Sequence, residues 1–197
     1  MDALTAVHKI QEEYSGEVAL VCISYPSPFP LCQEINEDGD GTSSGNMQLP
    51  QKSAFLLQAN VVQTIASILR EKGGLYLQSN AEDVLLYMKK MVETANTSLI
   101  IPDEGVDVIK GLPPHVTDAS KMDSIGWVET APMPPPRQGS RLAKYLASGR
   151  KRATGKGFLN DSPFKDFAKT ETEAAYTLDG RVDELHRVVF FKKEQIE

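Results

Sequence analysis

A short segment near the N-terminus, VALVCISYPSPFP, constrains the fold more than any other part of this 197-residue chain. Its first half is apolar and rich in β-branched residues, which is typical of a central parallel strand covered on both faces. Pro26, Pro28 and Pro30 then follow at alternate positions. Because proline has no N–H to donate to a neighbouring strand, the strand must end by Tyr25 and continue as a stiff, extended loop. Loops at the carboxyl ends of strands hold the ligands of open α/β folds, so a functional site is predicted here.

Helices and strands are predicted to alternate around this segment. The spacing of apolar residues predicts helices over residues 3–14, 53–72 and 81–95, the second of which ends at a Gly-Gly pair. The run LYLQSN at 75–80 predicts a short strand between the last two helices. The order helix, strand, helix, strand, helix is typical of βαβ crossovers, which produce a parallel sheet.

Two stretches interrupt this pattern. Residues 34–50 begin with acids, glycines and serines that cannot bury apolar surface, so an acidic insertion is predicted there. Residues 102–140 contain GLPPH and TAPMPPPRQG, which predict irregular or polyproline-like chain.

The C-terminal region predicts two further strands. Residues 170–176 and 186–192 have strand-like composition, and Asp179 with Gly180 supplies a turn signal between them. A terminal antiparallel pair of this kind can close an otherwise parallel sheet. The sequence therefore predicts one α/β domain over residues 1–197, with parallel strands, helices and a terminal antiparallel strand pair.

The charge of the chain is unevenly distributed. Its net charge of −6 argues against a protein that coats nucleic acid over its whole surface. The run RQGSRLAKYLASGRKRATGKG, however, contains cations and no acid, and a local basic patch can still meet a phosphate backbone. Arg150, Lys151 and Arg152 are its candidate RNA-backbone contacts. The alternative is a solvated loop whose charges offset the acidic body.

Several classes of protein are disfavoured by composition. No run approaches 18 apolar residues and the N-terminus is too charged for a signal peptide, so neither a membrane span nor a secretory leader is expected. The two cysteines predict reduced thiols and a cytoplasmic or nuclear location. The three histidines are far apart in sequence and have no metal-ligand spacing, so no metal site is expected.

Four segments, in this order, together resemble the tRNA (guanine-N7)-methyltransferase family. EEYSGEVALVCISYPSPF resembles the family's fourth strand and its Pro-Asp-Pro-aromatic loop, and LLQANVVQTIASILREKGGLYLQSNAEDVLLYMKKM resembles the next helix, strand and helix. FAKTETEAAY resembles its Thr-x-x-Glu element, and LHRVVFFKK its last strand. The resemblance implies the C-terminal half of a Rossmann-like fold, S-adenosylmethionine as cofactor and tRNA as substrate.

The resemblance also implies roles for individual residues. Ser27 occupies the position of the family's loop aspartate and is the implied catalytic position, although serine brings no negative charge. Asn80 stands where the family has an acid after the next strand, and helix capping is its alternative role. A capped turn is likewise the alternative for the Thr-x-x-Glu element. The implied substrate-binding residues are Pro26, Pro28, Phe29, Asn80, Thr170 and Glu173.

The sequence departs from the family in the half that holds the methyl donor. Neither a glycine-rich turn nor an acidic strand end precedes Val18, so the site for S-adenosylmethionine is expected to be incomplete in this chain. The first hypothesis is therefore a tRNA (guanine-N7)-methyltransferase, or a partial or degenerate member of that family. The alternative is a non-catalytic subunit that binds RNA or a partner. A half-sheet also leaves one strand edge open, which predicts a partner subunit or a homodimer.

Overall fold

A computed structural model describes residues 2–26, 55–103, 110–128, 153–165, 168–180 and 185–194. Helices and strands alternate in the first half of the chain, and short strands dominate the second half. The elements are α1 (Ala3–Glu13), β1 (Val18–Ser24), α2 (Ala59–Ile68), β2 (Leu69–Ser79), α3 (Glu82–Thr94), β3 (Leu99–Ile100), a 3₁₀ helix (Ala119–Ser124), β4 (Trp127–Val128), β5 (Gly155–Leu159), α4 (Glu171–Leu178) and β6 (His186–Lys192).

The strands form a mixed sheet of six. The order across it is β1-β2-β6-β5-β4, and β3 pairs with β6 beside this path. β1 and β2 are parallel, whereas β6 runs antiparallel to β2, to β3 and to β5. The predicted α/β class is confirmed, and the sheet is mixed.

β2 lies in the interior of the sheet and is covered on both faces. On one face Leu75 and Leu77 pack in the core formed with α2 and α3, and on the other Tyr76 packs against the ring of Phe164. Leu75, Tyr76 and Leu77 have no exposed surface. Because both faces are apolar at this point, the three residues form an unbroken hydrophobic run within a strand whose N-terminal part contains exposed charged residues.

β1 differs from its prediction as a central strand. It is the edge strand of the described sheet, and Cys22 within it is exposed. Val21 and Ile23 of this strand pack against the core but are only partly buried. α1, which precedes it, has no buried residue. An apolar run therefore predicted a strand correctly but not its place in the sheet.

The predicted helix over residues 53–72 is wrong at both ends, because α2 begins only at Ala59 and the described residues 55–58 precede it. α2 stops at Ile68, and Leu69 continues in extended conformation to pair with Val18 of β1. Glycine disfavours helix, and a Cβ on Gly73 would lie only 2.8 Å from the carbonyl oxygen of Arg70. The chain therefore enters β2 before the Gly-Gly pair rather than after it.

The predicted strand over 170–176 is also wrong, because this segment is the helix α4. Thr170 and Glu173 form a capping box, in which each side chain accepts a hydrogen bond from the other residue's backbone N–H. Residues 170–176 therefore do not form an antiparallel pair with residues 186–192. The antiparallel neighbours of β6 are β2, β3 and β5.

The irregular region contains short elements that the sequence did not predict. The 3₁₀ helix and β4 lie within residues 102–140, and β5 follows that region. The acidic insertion at 34–50 lies outside the described residues.

We expect truncation of Leu77 to destabilise the fold strongly. Leu77 has no exposed surface, so Leu77→Ala leaves a cavity in the core and should lower the free energy of unfolding by about 2 to 5 kcal/mol. Leu178, whose exposed fraction is 88%, is the matched control, and Leu178→Ala should change stability by less than about 0.5 kcal/mol. Urea unfolding measures both, and equal effects would contradict the placement of β2 in the core.

Candidate functional site

Polar side chains converge where β1 and β2 end and β6 begins. Ser24, Gln78 and Arg187 are in register across three strands, so their side chains share one face of the sheet. The N-terminus of α4 reaches the same face, because its Glu173 pairs with Arg187. We call this group the polar cluster; its members are Tyr25, Tyr76, Gln78, Thr170, Glu173 and Arg187.

Gln78 connects two tyrosines across the cluster. The Tyr76 hydroxyl donates to Gln78 Oε1 at 2.7 Å, and the Gln78 amide donates to the Tyr25 hydroxyl. The backbone N–H of Tyr25 also donates to the Gln78 carbonyl at 2.9 Å. Gln78 is buried, and a buried amide without partners would be costly. The amide therefore ties the end of β1 to β2.

Tyr25 has an unusual backbone conformation. Its φ of +51° lies in the left-handed region, which is rare for a bulky residue, and it directly precedes Pro26. Such strain persists only where surrounding contacts hold it, and it concentrates at functional sites. Burial raises the pKa of Tyr25 to about 12, and the negative charge of Glu173 adds to the rise. The phenol is therefore a neutral hydrogen-bonding group at physiological pH.

A buried ion pair forms the floor of the cluster. Arg187 Nη2 lies 3.8 Å from Glu173 Oε1, and the two side chains are 2% and 4% exposed. Arg187 Nη1 donates to the Leu185 carbonyl at 3.3 Å, while its Nε is buried with no hydrogen-bond partner in the described residues. Removing either charge would leave the other buried and unpaired, which is strongly unfavourable.

The Thr-x-x-Glu residues are engaged within the protein. Glu173 Oε2 accepts from the Thr170 backbone N–H at 3.1 Å and lies 3.3 Å from its hydroxyl. The Glu173 N–H in turn donates to Thr170 Oγ1 at 3.2 Å. These contacts start α4 and orient the carboxylate toward Arg187. A contact from either residue to substrate stays a prediction.

Asn80 links β2 to α4 and does not cap α3. The N-cap of α3 is Ala81, whose N–H donates to Ser79 Oγ at 3.0 Å. Asn80 Nδ2 instead donates to the Tyr176 hydroxyl of α4 at 3.0 Å. The capping alternative for Asn80 is therefore wrong, and the residue lies at the exposed rim of the cluster.

The structure places only some of the residues predicted from the sequence. Pro26 is buried at the end of the segment that contains β1. It lies next in the chain to Tyr25 of the cluster. The predicted residues Ser27, Pro28, Phe29, Arg150, Lys151 and Arg152 lie outside the described residues.

Sequence reasoning missed four members of the cluster. Tyr25 was considered only as the end of a strand, and Tyr76, Gln78 and Arg187 only as parts of strands. A usable signal was present, because a buried amide or guanidinium in an otherwise apolar run, LYLQS or RVVFF, requires a polar partner.

The resemblance implies a cofactor, S-adenosylmethionine, whose ribose hydroxyls would need acceptors in the protein. The buried carboxylates near this end of the sheet are Glu82 and Glu173, and both accept hydrogen bonds from protein groups. Neither buried carboxylate among the described residues is without a protein partner, so binding of the ribose hydroxyls of S-adenosylmethionine by this chain stays a prediction. The described residues include no cluster of three or more metal-ligating side chains, and no helix among them is long and apolar enough to cross a membrane.

We expect loss of the Glu173 charge to destabilise the protein. Glu173→Gln keeps an oxygen for the capping box but leaves Arg187 buried without its counter-charge, so the free energy of unfolding should fall by about 3 kcal/mol. Glu171→Gln, an exposed change in the same helical turn, should alter it by less than about 0.5 kcal/mol. Equal values from denaturant unfolding would show that the pair is not buried in solution.

The raised pKa of Tyr25 predicts a loss of stability at alkaline pH. In the unfolded chain a tyrosine loses its proton near its ordinary pKa of 10.0, whereas folded Tyr25 keeps it until about 12. The unfolded state then binds fewer protons, so the free energy of unfolding should fall as pH rises from 10 to 12. Tyr25→Phe should show a smaller fall in unfolding titrations across this range. An identical fall in both proteins would contradict the burial of this phenol.

The polar cluster thus joins residues that are distant in sequence at the carboxyl ends of two parallel strands. Its groups are connected by hydrogen bonds and an ion pair, with Tyr25 and the amide of Asn80 at its rim. Inside it, Arg187 Nε has no hydrogen-bond partner among the residues that the structure describes. Comparison of the chain with protein-family models, with curated proteins and with solved structures found no match, so no family is shown for it.

Proposed function

We propose that this chain is a degenerate member of the tRNA (guanine-N7)-methyltransferase family. The chain binds tRNA but does not transfer a methyl group by itself. One observation carries the proposal. The end of β1, Asn80 and the Thr170–Glu173 capping box, which the resemblance assigns to one site, lie together at one end of the sheet. In open α/β sheets this end is where ligands bind.

The arrangement of the strands supports the assignment. The resemblance identifies β1 with the family's fourth strand, β2 with the next and β6 with the last. β1 and β2 are parallel neighbours, and β6 lies antiparallel beside β2. A Rossmann-like half-sheet with an antiparallel closing strand agrees with this order.

Binding without catalysis is favoured by the chemistry of the residues. Guanine N7 is already a nucleophile, so an enzyme that methylates it must chiefly position the base against the donor and stabilise the developing charge. Ser27 replaces the aspartate that would favour positive charge on the base, and the buried carboxylates are engaged within the protein. What remains suits a base-binding surface with hydrogen-bonding groups at its rim, in a cytoplasmic or nuclear protein.

A second candidate is favoured by the position of β1. One side of this strand pairs with β2, and no described strand pairs with its other side. A strand from another chain could continue the parallel sheet there and supply the donor-binding residues. In that case the chain is the substrate-binding part of an assembled methyltransferase, either with a partner subunit or as a homodimer.

Binding measurements with an unmodified tRNA transcript and with S-adenosylmethionine test the proposal. Fluorescence anisotropy should detect tRNA binding that weakens as salt rises. The variant Arg150→Ala, Lys151→Ala, Arg152→Ala should bind more weakly, with a salt slope shallower by about 2 to 3, since each phosphate contact contributes roughly 0.7 to 0.9. Calorimetry should give a dissociation constant for S-adenosylmethionine weaker than about 1 mM.

Further outcomes bear on tRNA binding and on catalysis by the chain alone. Deletion of the acidic residues 34–40 should tighten tRNA binding by removing repulsion. Micromolar binding of S-adenosylmethionine, or methyl transfer to tRNA by the purified chain, would overturn the non-catalytic proposal. Absence of tRNA binding, or an unchanged affinity and salt slope in the triple variant, would favour a subunit that binds a protein partner instead.

A further inference from the structure

Tyr25 has an aromatic ring that lies outside both cores of the described residues. Other aromatic residues, among them Tyr76, Tyr87 and Trp127, belong to one core or pack against it. Tyr25 does neither, although it directly follows β1 and is partly buried. Hydrophobic packing in a core therefore does not explain why a large aromatic side chain occupies this position.

Three contacts nevertheless hold this residue in place. Its backbone N–H donates to the Gln78 carbonyl at 2.9 Å, and its hydroxyl accepts from the Gln78 side-chain amide. Burial raises the pKa of the Tyr25 phenol, and a hydrogen bond with the Thr170 side chain opposes part of that rise. The phenol is thus connected both to β2 and to the first residue before α4, so its ring is held at a defined position.

The backbone of Tyr25 is strained in this position. Its φ of +51° is unfavourable for a bulky residue, and the following Pro26 restricts its conformation further. Such strain is retained mainly at sites of binding or catalysis. Here it places an aromatic side chain at the carboxyl ends of two parallel strands, where open α/β folds bind their ligands.

The surroundings of the phenol indicate the kind of ligand. Its neighbours in the polar cluster are the amide of Gln78, the hydroxyl of Thr170 and, beyond it, the carboxylate of Glu173. A nucleobase combines a flat π-face, which stacks on tyrosine, with polar edges that suit such surroundings. An aliphatic side chain of a protein partner would cover these polar groups without satisfying them.

We propose that the ring of Tyr25 stacks on an unpaired base of the bound RNA. The inference rests on the proposed function, which it deepens by naming a side chain that contacts the base. The alternative is a structural tyrosine, whose hydroxyl connects β1 to β2 and whose ring has no further role. The two roles require different parts of the same side chain, because stacking needs the ring and the connection needs the hydroxyl.

The first test compares tRNA binding by Tyr25→Phe and Tyr25→Leu. Both variants lose the hydroxyl and its hydrogen bonds, but only Tyr25→Leu loses the ring. Stacking predicts that Tyr25→Leu binds the transcript roughly 5- to 150-fold more weakly than Tyr25→Phe, the range that base–aromatic stacking gives. The salt slope should be equal in the two variants, because stacking neutralises no phosphate. Both are measured at a temperature where circular dichroism shows them folded.

Tyr14 provides the matched control for this test. It is 57% exposed and follows α1, so it precedes β1 and lies away from the end of that strand that holds Tyr25. Tyr14→Phe and Tyr14→Leu should bind tRNA equally well. Equal affinity of Tyr25→Phe and Tyr25→Leu, with tRNA binding intact, would overturn the inference and leave the proposed function standing. A salt slope that differs between the two Tyr25 variants would also contradict stacking as the cause.

The second test does not need tRNA. Guanosine 5′-monophosphate at millimolar concentration is the probe, and NMR follows the ring signals of Tyr25, which are identified by their loss in Tyr25→Phe. A stacked base should shift these signals upfield and leave those of Tyr14 in place, whereas ribose 5-phosphate, which has no base, should shift neither. No shift at Tyr25, or an equal shift with ribose 5-phosphate, would overturn the inference. If the wild type does not bind tRNA but the nucleotide shifts Tyr25, the proposed function fails and the stacking of a base on this ring stands.

Discussion

The structure depends on the burial of β2 on both faces. β2 pairs with β1 on one side and with β6 on the other, and the side chains of Leu75, Tyr76 and Leu77 alternate between two apolar cores. The helices α2 and α3, which precede and follow β2 in the chain, both pack against one of these faces. The groups of the polar cluster lie at the carboxyl end of this strand, at the end of β1, on β6, or on α4, which reaches β6 through the pair of Glu173 with Arg187.

The same burial explains why polar groups at the end of β2 form a closed network. Gln78 continues the buried face that carries Tyr76, so its amide has no access to water and must find partners in the protein. Its amide is hydrogen-bonded to Tyr76 and Tyr25, and the neighbouring Arg187 forms an ion pair with Glu173. A site built in this way is rigid before any ligand arrives. Within the described part of the chain, its remaining capacity for hydrogen bonding lies at the rim and at Arg187 Nε.

Sequence reasoning predicted an element correctly where the spacing of its apolar residues favoured one type of secondary structure. α1, β1, the core of α2, β2 and α3 were predicted because their apolar residues recur at helical spacing or in unbroken runs. It failed at residues 170–176, where alternating Thr and Glu resemble a strand but the local hydrogen bonds of a capping box start a helix. β5 was missed because GKGFL is short and has two glycines at positive φ, one of which allows close approach by Ile101.

The sequence predicts where in the fold the candidate site lies, but not all of the residues that form it. Thr170, Glu173 and Asn80 were identified by resemblance, and the structure brings them near the end of β1. The sequence indicates that Gln78 and Arg187 need polar partners but not which ones, since their position beside each other depends on the register between β2 and β6. A shift of one residue in this register would place the two side chains on opposite faces of the sheet. Register arises from the packing of the whole sheet, which local sequence does not reveal.

The edge position of β1 creates a gradient of local stability across the sheet. β2 and β6 have strands on both sides and closed cores above and below, whereas β1 is held along one side and is preceded by a helix with no buried residue. Local opening should therefore begin at α1 and β1 and reach β2 only with global unfolding. Tyr25 stands at the boundary, because it belongs to the chain of the weaker strand but is hydrogen-bonded to Gln78 of the stronger one. A ligand that contacts Tyr25 would suppress the local opening of β1. Binding at the site would therefore make the whole β1 edge of the sheet more rigid.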